Sequence, residues 1–214
     1  NQFGLTIVQE IEVRYNEYSG LNLTREVLAG QTSRVDKQAK GKRPLLEVQL
    51  VDAADSTTYD AHDTDDAIKL GLVSLDQMSH LGLIREGLSY VKKRYAGLSK
   101  ELLRKAIVHR LVNHQVTSLL DYTASQLKER AFESTAQVVN SDFTIGPDPA
   151  LAEQKKELES FLYENVYRHP QLIQVRQSAQ LRLKKMFRAY CKNPALIPEK
   201  YRPRFEKIGV RRVA

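Results

Sequence analysis

The sequence predicts an all-α fold, a multi-helical bundle with little or no strand. Three observations carry this. Apolar residues recur at spacings of three and four through most of the chain, alternating apolar and polar runs are almost absent, and Ser, Thr, Pro and Gly stand at the starts and ends of the periodic stretches. At 214 residues the chain can bury a sizeable core and suits one large domain or two small ones.

Residues 1–15 read as an amphipathic helix with an apolar stripe of Leu5, Val8, Ile11 and Val13. Asn22-Leu23-Thr24 matches a glycosylation sequon, yet it reads better as a helix start capped by Asn22 or Thr24. The helix it opens is expected to stop at Gly30. Residues 31–43 are polar and basic without apolar period, so a loop is expected there. Pro44 can open the next helix, because the first helical position needs no N–H donor. That helix is expected to run to Leu70, its leading stretch LLEVQLVDAAD being apolar and small enough for burial. Gly71 and Gly82 bracket a short helix beginning near Ser74, and another runs from there to Gly97. The longest periodic stretch spans residues 99–130, with Leu102, Ile107, Leu111, Val112, Val116, Leu119, Leu120 and Leu127 as its core face. His109 and His114 are five apart, a spacing that puts them on different faces and suits packing or hydrogen bonding better than a shared metal. Residues 134–149 form a long connection in which VVNSDFTI could hold a short strand pair. Two helices follow, divided at His169-Pro170 because proline disfavours a helical predecessor. The three prolines after residue 193 leave only a short helix or turns.

Charge is unevenly placed. Lys plus Arg number 33 against 26 acidic residues, a net +7, but residues 168–214 alone carry thirteen Lys or Arg and two Glu. The rest of the chain is therefore net acidic. A basic tail of this kind can meet phosphates or an acidic surface, and Phe187, Tyr190, Tyr201 and Phe205 interleave with it. At helical spacing those aromatics fit a core better than a base-stacking platform. One cysteine, Cys191, excludes a disulfide framework within the chain. No apolar run approaches the roughly 20 residues of a membrane span, and residues 1–15 do not read as a basic-then-apolar leader, so the expectation is a cytoplasmic protein without a membrane partner. Gly-rich phosphate loops, CxxC pairs, HExxH and GxSxG are all missing; Gly41-Lys42-Arg43 lacks the first glycine and the hydroxyl of a phosphate loop.

What remains is an acidic helix edge. With each helical residue turning roughly 100°, Asp52, Asp55, Tyr59, His62, Asp63 and Asp66 fall within about a 100° sector. Six acidic residues and no Lys or Arg lie between Asp52 and Asp66. Like charges so close destabilise a helix unless a cation or hydrogen bonds offset them. A divalent metal answers that need, and a solvated face is the plainer alternative. Tyr59 and His62 favour the metal, since a merely solubilising face requires neither.

The residues that make this edge, ADSTTYDAHDTDDAI over residues 54–68, resemble the segment of the HD-domain deoxynucleoside triphosphate triphosphohydrolases, the dGTPase-like family, that carries the last metal-binding aspartate. SGLNLTREVLAG, PLLEVQLVDAAD, VHRLVNHQVTSLLDYT, ELESFLYENVYRHP and KMFRAYCKNPALIP resemble its flanks in order. The resemblance implies a helical enzyme in which two histidines and two aspartates, in an H…HD…D pattern, hold a divalent ion that acts on the α-phosphate of a dNTP, releasing deoxynucleoside and triphosphate. Magnesium or manganese is the first expectation, with Ni, Zn, Co or Fe as alternatives. Asp55 matches the final aspartate. Tyr59 matches a tyrosine that reaches the phosphates or sugar, and Asp63 an aspartate that accepts the 3′-hydroxyl. His62 and Asp66 take no family role and suit hydrogen bonding behind the ligands.

The chain departs from the family in lacking its first histidine and its HD pair, since the only His-Asp step, His62-Asp63, matches elsewhere. It therefore reads as a fragment without the upstream H…HD half and without the extreme C-terminal part, inactive alone. Residues 1–97 are expected to complete the metal and substrate pocket and 98–214 to form a C-terminal helical part. The implied partners are a dNTP, the HD half, further copies in a homo-oligomer, and a nucleotide effector or single-stranded DNA. The rival reading is a non-catalytic helical module binding nucleic acid or nucleotide through the basic region.

Overall fold

The computed structural model describes residues 2–12, 14–15, 17–35 and 44–202, and among them all regular structure is helical. The elements are α1 (Gln2–Thr6), continued by a π-helical turn (Ile7–Ile11), α2 (Arg25–Val35), α3 (Leu46–Lys69), α4 (Leu75–Met78), α5 (Gly82–Arg94), α6 (Lys100–Arg130), α7 (Thr135–Asn140), α8 (Pro149–Leu162) with a π-helical turn (Tyr163–Tyr167), α9 (Pro170–Lys192) and two short 3₁₀ turns. Val13, residues 36–43 of the expected loop, and Phe205 lie outside the described residues.

Capping chemistry placed most starts. Ser74 and Gln77 form a reciprocal capping box, Ser99 accepts from the Leu102 N–H, and Ser134 accepts from the Gln137 N–H. Each satisfies a donor that the first turn leaves without a helical partner. Asp148 caps α8 through the Ala150 and Leu151 N–H groups. Thr24 accepts from Val27 N–H at 3.4 Å, so of the two candidates it is the cap, while Asn22 sits in the left-handed region at φ 52°.

Several expectations change. The first helix ends at Ile11, not Tyr15. Helix α2 runs through Gly30 to Val35, because Gly30 serves packing rather than termination: a Cβ there would lie 2.7 Å from Val48 Cγ2 of α3. Helix α3 begins at Leu46, two residues past Pro44. VVNSDFTI forms no strand; α7 takes its first part, and the rest is a loop pinned by side chains. Phe143 is buried against Phe132 with ring centroids 5.8 Å apart, and Gln49 of α3 accepts from the Ile145 N–H at 2.9 Å.

The chain divides into two compact units, residues 1–159 and 160–214. In the first, α6 packs against both α3 and α5. Leu83, Ile84 and Val91 of α5, Ile107, Leu111 and Leu119 on the i, i+4 row of α6, and Ala61 and Ala67 of α3 are all buried. The core face of α6 is narrower than its periodicity suggests. Leu102, Val112, Val116 and Leu120 are exposed, whereas Gln115 occupies the buried row. The start of α3 is not buried either, Val51 being 60% exposed; only Thr57, Asp60, Ala61, Thr64 and Ala67 of that helix are buried. His114 Nε2 lies 3.6 Å from a Glu86 oxygen, beyond hydrogen-bond reach, and His109 is exposed. In the second unit α9 has no buried residue, and Phe187 is exposed rather than core.

Candidate functional site

Helix α3 positions everything the sequence singled out. Its buried face centres on Ala61 and Thr64, and the edge bearing Asp52, Asp55, Tyr59, His62, Asp63 and Asp66 lies roughly 140° round the helix from it. Tyr59 is 59% exposed, His62 and Asp66 are exposed, and Asp55 and Asp63 are half-buried. The edge thus points away from the core of its own unit.

The two other carboxylates of the acidic run have separate duties. Asp65 pairs with Arg104 of α6. Asp60, only 3% exposed, pairs with Lys155 of α8, which also reaches Glu159 Oε1 at 3.0 Å and the Ser56 carbonyl at 3.3 Å. Burial pushes the Asp60 carboxyl up to about 6, against the opposing hydrogen bond and charge of Lys155. These pairs hold α3 to α6 on one flank and to α8 on the other. Neither was predicted, although the Lys155-Lys156 pair in a helix otherwise rich in Glu gave a weak signal.

A divalent ion needs several oxygen or nitrogen donors around it. Among the described residues no three His, Cys, Asp or Glu side chains converge in that way. The residues present do not make a metal site by themselves; Asp55 offers one carboxylate.

Beside the acidic edge, on the adjoining flank of α3, is a cavity of about 570 Å³. Gln49, Asp52 and Thr57 of α3, Gln115 and Leu119 of α6, and Lys155 of α8 line it, together with residues 144–147 of the pinned loop. Asp52 is the one member of the edge that reaches it; Asp55, Tyr59 and Asp63 do not line it. Gln115 went unnoticed in the sequence, although a polar residue at the i, i+4 position between Leu111 and Leu119 is a legible break in an apolar row.

Residues 145–214 match the phosphohydrolase-associated domain. The chain is similar to deoxyguanosinetriphosphate triphosphohydrolase-like proteins from Geobacter metallireducens, at 30% identity over 97% of this chain and 57% of that protein, and Bordetella pertussis, at 30% over 94% and 56%. The protein of that name from Nitrosomonas europaea is 28% identical over 100% of this chain and 60% of its own length. The chain thus spans between half and two thirds of the curated relatives it matches.

Proposed function

We propose that this chain, similar over nearly its whole length to the deoxyguanosinetriphosphate triphosphohydrolase-like proteins, belongs to that family and is part of a metal-dependent dNTP triphosphohydrolase whose substrate edge is Asp55, Tyr59 and Asp63. The observation that carries the reading is their order along one edge of α3, a helix clamped at its flanks by Asp65–Arg104 and Asp60–Lys155. Side chains at i, i+4 and i+8 stand about 6 Å apart in succession, so one rigid edge can follow a nucleotide from phosphate to sugar.

Asp55 would supply one oxygen ligand to a divalent ion, Mg or Mn, which would polarise the phosphoryl group and acidify its water, and the further ligands would have to come from outside the described residues. The chain's own side chains do the rest. Tyr59, with its phenol exposed, donates to a phosphate oxygen and fixes the triphosphate. Asp63 accepts a hydrogen bond from the 3′-hydroxyl and sets the sugar. The chain alone, holding one ligand, turns over no dNTP.

The test uses the chain joined to an HD half from a relative, with dGTP and Mn²⁺, and triphosphate release as the readout. Asp55→Ala is expected to fall to background. Asp63→Asn and Tyr59→Phe are expected to lose about tenfold or more in kcat/KM, the value of a hydrogen bond to a charged group. Unchanged turnover in Asp55→Ala removes this residue from the metal.

A further inference from the structure

We propose that Lys155 of α8 is a positioning residue for the sugar end of the α3 edge, setting the point at which Asp63 meets the 3′-hydroxyl. This rests on the assignment of Asp55, Tyr59 and Asp63 to the substrate, and adds a residue that acts through them. The observation behind it is the reach of one ammonium. Lys155 Nζ pairs with Asp60, stands 3.0 Å from Glu159 Oε1 and donates to the Ser56 carbonyl at 3.3 Å. Only 15% of its side chain is exposed, and a lysine drawn that far out of water is held there by its partners.

Its two partners on α3 stand in a fixed relation to the edge. Ser56 and Asp60 precede Tyr59 and Asp63 by three residues each, so each lies about 60° round the helix and one turn from a member of the edge. A shift of this grip along or around α3 therefore moves both side chains together. Glu159, one turn on from Lys155 in α8, tightens the same joint by accepting from Ser56 Oγ at 3.5 Å. The other ion pair of α3 is placed differently. Asp65, paired with Arg104, lies about 160° round the helix from Asp63, and so holds α3 on the side away from the edge.

Charge works in the same direction. After burial, the negative charges of Glu159 and Asp63 push the Asp60 carboxyl up, and Lys155 opposes them. Without the ammonium, repulsion between Asp60 and Asp63 turns the Asp63 carboxylate from the place where it accepts a hydroxyl. Small displacements matter here, since a misplacement of about 1 Å can cost on the order of a hundredfold in rate.

The test uses the enzyme assembled from this chain and a relative's HD half, with dGTP and 2′,3′-dideoxy-GTP as paired substrates and triphosphate release as the readout. The dideoxy analogue lacks the hydroxyl that Asp63 accepts, so the ratio of the two kcat/KM values reads the placement of Asp63 and cancels any loss of folded enzyme. Wild type is expected to prefer dGTP by about tenfold or more. Lys155→Met is expected to lower that preference by about fivefold, through dGTP alone, and Lys155→Arg, which keeps the charge, to restore part of it. Should Lys155→Met fail to fold, Asp60→Asn combined with it leaves no buried carboxylate unopposed and is expected to show the same lowered preference. Arg104→Met, which cuts the pair on the far side of α3, is expected to keep the wild-type preference. A wild type indifferent to the 3′-hydroxyl, an unchanged preference in the folded Lys155 variant, or an equal fall in Arg104→Met overturns the proposal. Asp55→Ala separates these outcomes from failure of the hydrolase reading. Turnover that persists in Asp55→Ala sinks the reading itself, whereas background turnover there with an unchanged preference in the Lys155 variant removes Lys155 alone.

Discussion

Asp60 shares the buried face of α3 with Ala61 and Thr64, and its pairing with Lys155 makes the attachment of α3 to α8 depend on pH. Its carboxyl is raised to about 6 from an ordinary 3.8, chiefly by burial. A raised carboxyl contributes stability that is fully present below the ordinary value and is lost as pH rises through about 6. The advantage of wild type over Asp60→Asn in urea melts should therefore shrink between pH 4 and pH 7; an advantage constant across that window would mean that Asp60 titrates normally. Lys155→Met removes the cation opposite a buried carboxylate. It should cost on the order of 3 kcal/mol at pH 8 and less at pH 5, where Asp60 takes up a proton.

At the scale of elements, α3 works because other helices can come close to it. Gly30 lets α2 approach to where a single methyl would meet Val48 Cγ2 at 2.7 Å. Val48 is β-branched and cannot swing aside cheaply. Gly30→Ala should destabilise by about 1–3 kcal/mol in a denaturant melt, despite alanine's better helix propensity, and Val48→Ala in the same chain should recover part of the loss. A gain from Gly30→Ala alone would show that the two helices separate at no cost. Helix α6 shows the limit of periodicity as a guide. Its apolar residues cover a broad sector, yet only the Ile107, Leu111, Leu119 row enters the core, because a helix touching α3 and α5 can bury only the strip those two helices leave for it.

For the molecule as a whole, the proposed function implies that the described residues supply a single metal ligand and should hold no divalent ion tightly on their own. No cluster of three or more His, Cys, Asp or Glu is present among the described residues, and one carboxylate does not hold a divalent ion against water with useful affinity. Titration of the chain with Mn²⁺ should give no saturable heat, and adding a chelator should leave its Tm unchanged. A tight Mn²⁺ site would contradict the division of ligands proposed for Asp55. No helix among the described residues is long and apolar enough to cross a membrane.

The sequence by itself determined the all-α class, most helix starts and the likeness to the deoxyguanosinetriphosphate triphosphohydrolase-like proteins, because caps, proline positions and 3.6-residue periodicity are local, and a run such as ADSTTYDAHDTDDAI carries its likeness in residue order alone. It also placed Asp55, Tyr59, His62, Asp63 and Asp66 on one edge, since that needs only the helical repeat. Only the tertiary structure decided that Asp60 and Asp65 leave the acidic run to pair with Lys155 and Arg104, partners 95 and 39 residues away, that Gly30 is a contact and not a stop, and that Gln115 faces a cavity. Each of these depends on which surface a distant helix brings alongside, and burial and pairing across such distances have no signature in local spacing.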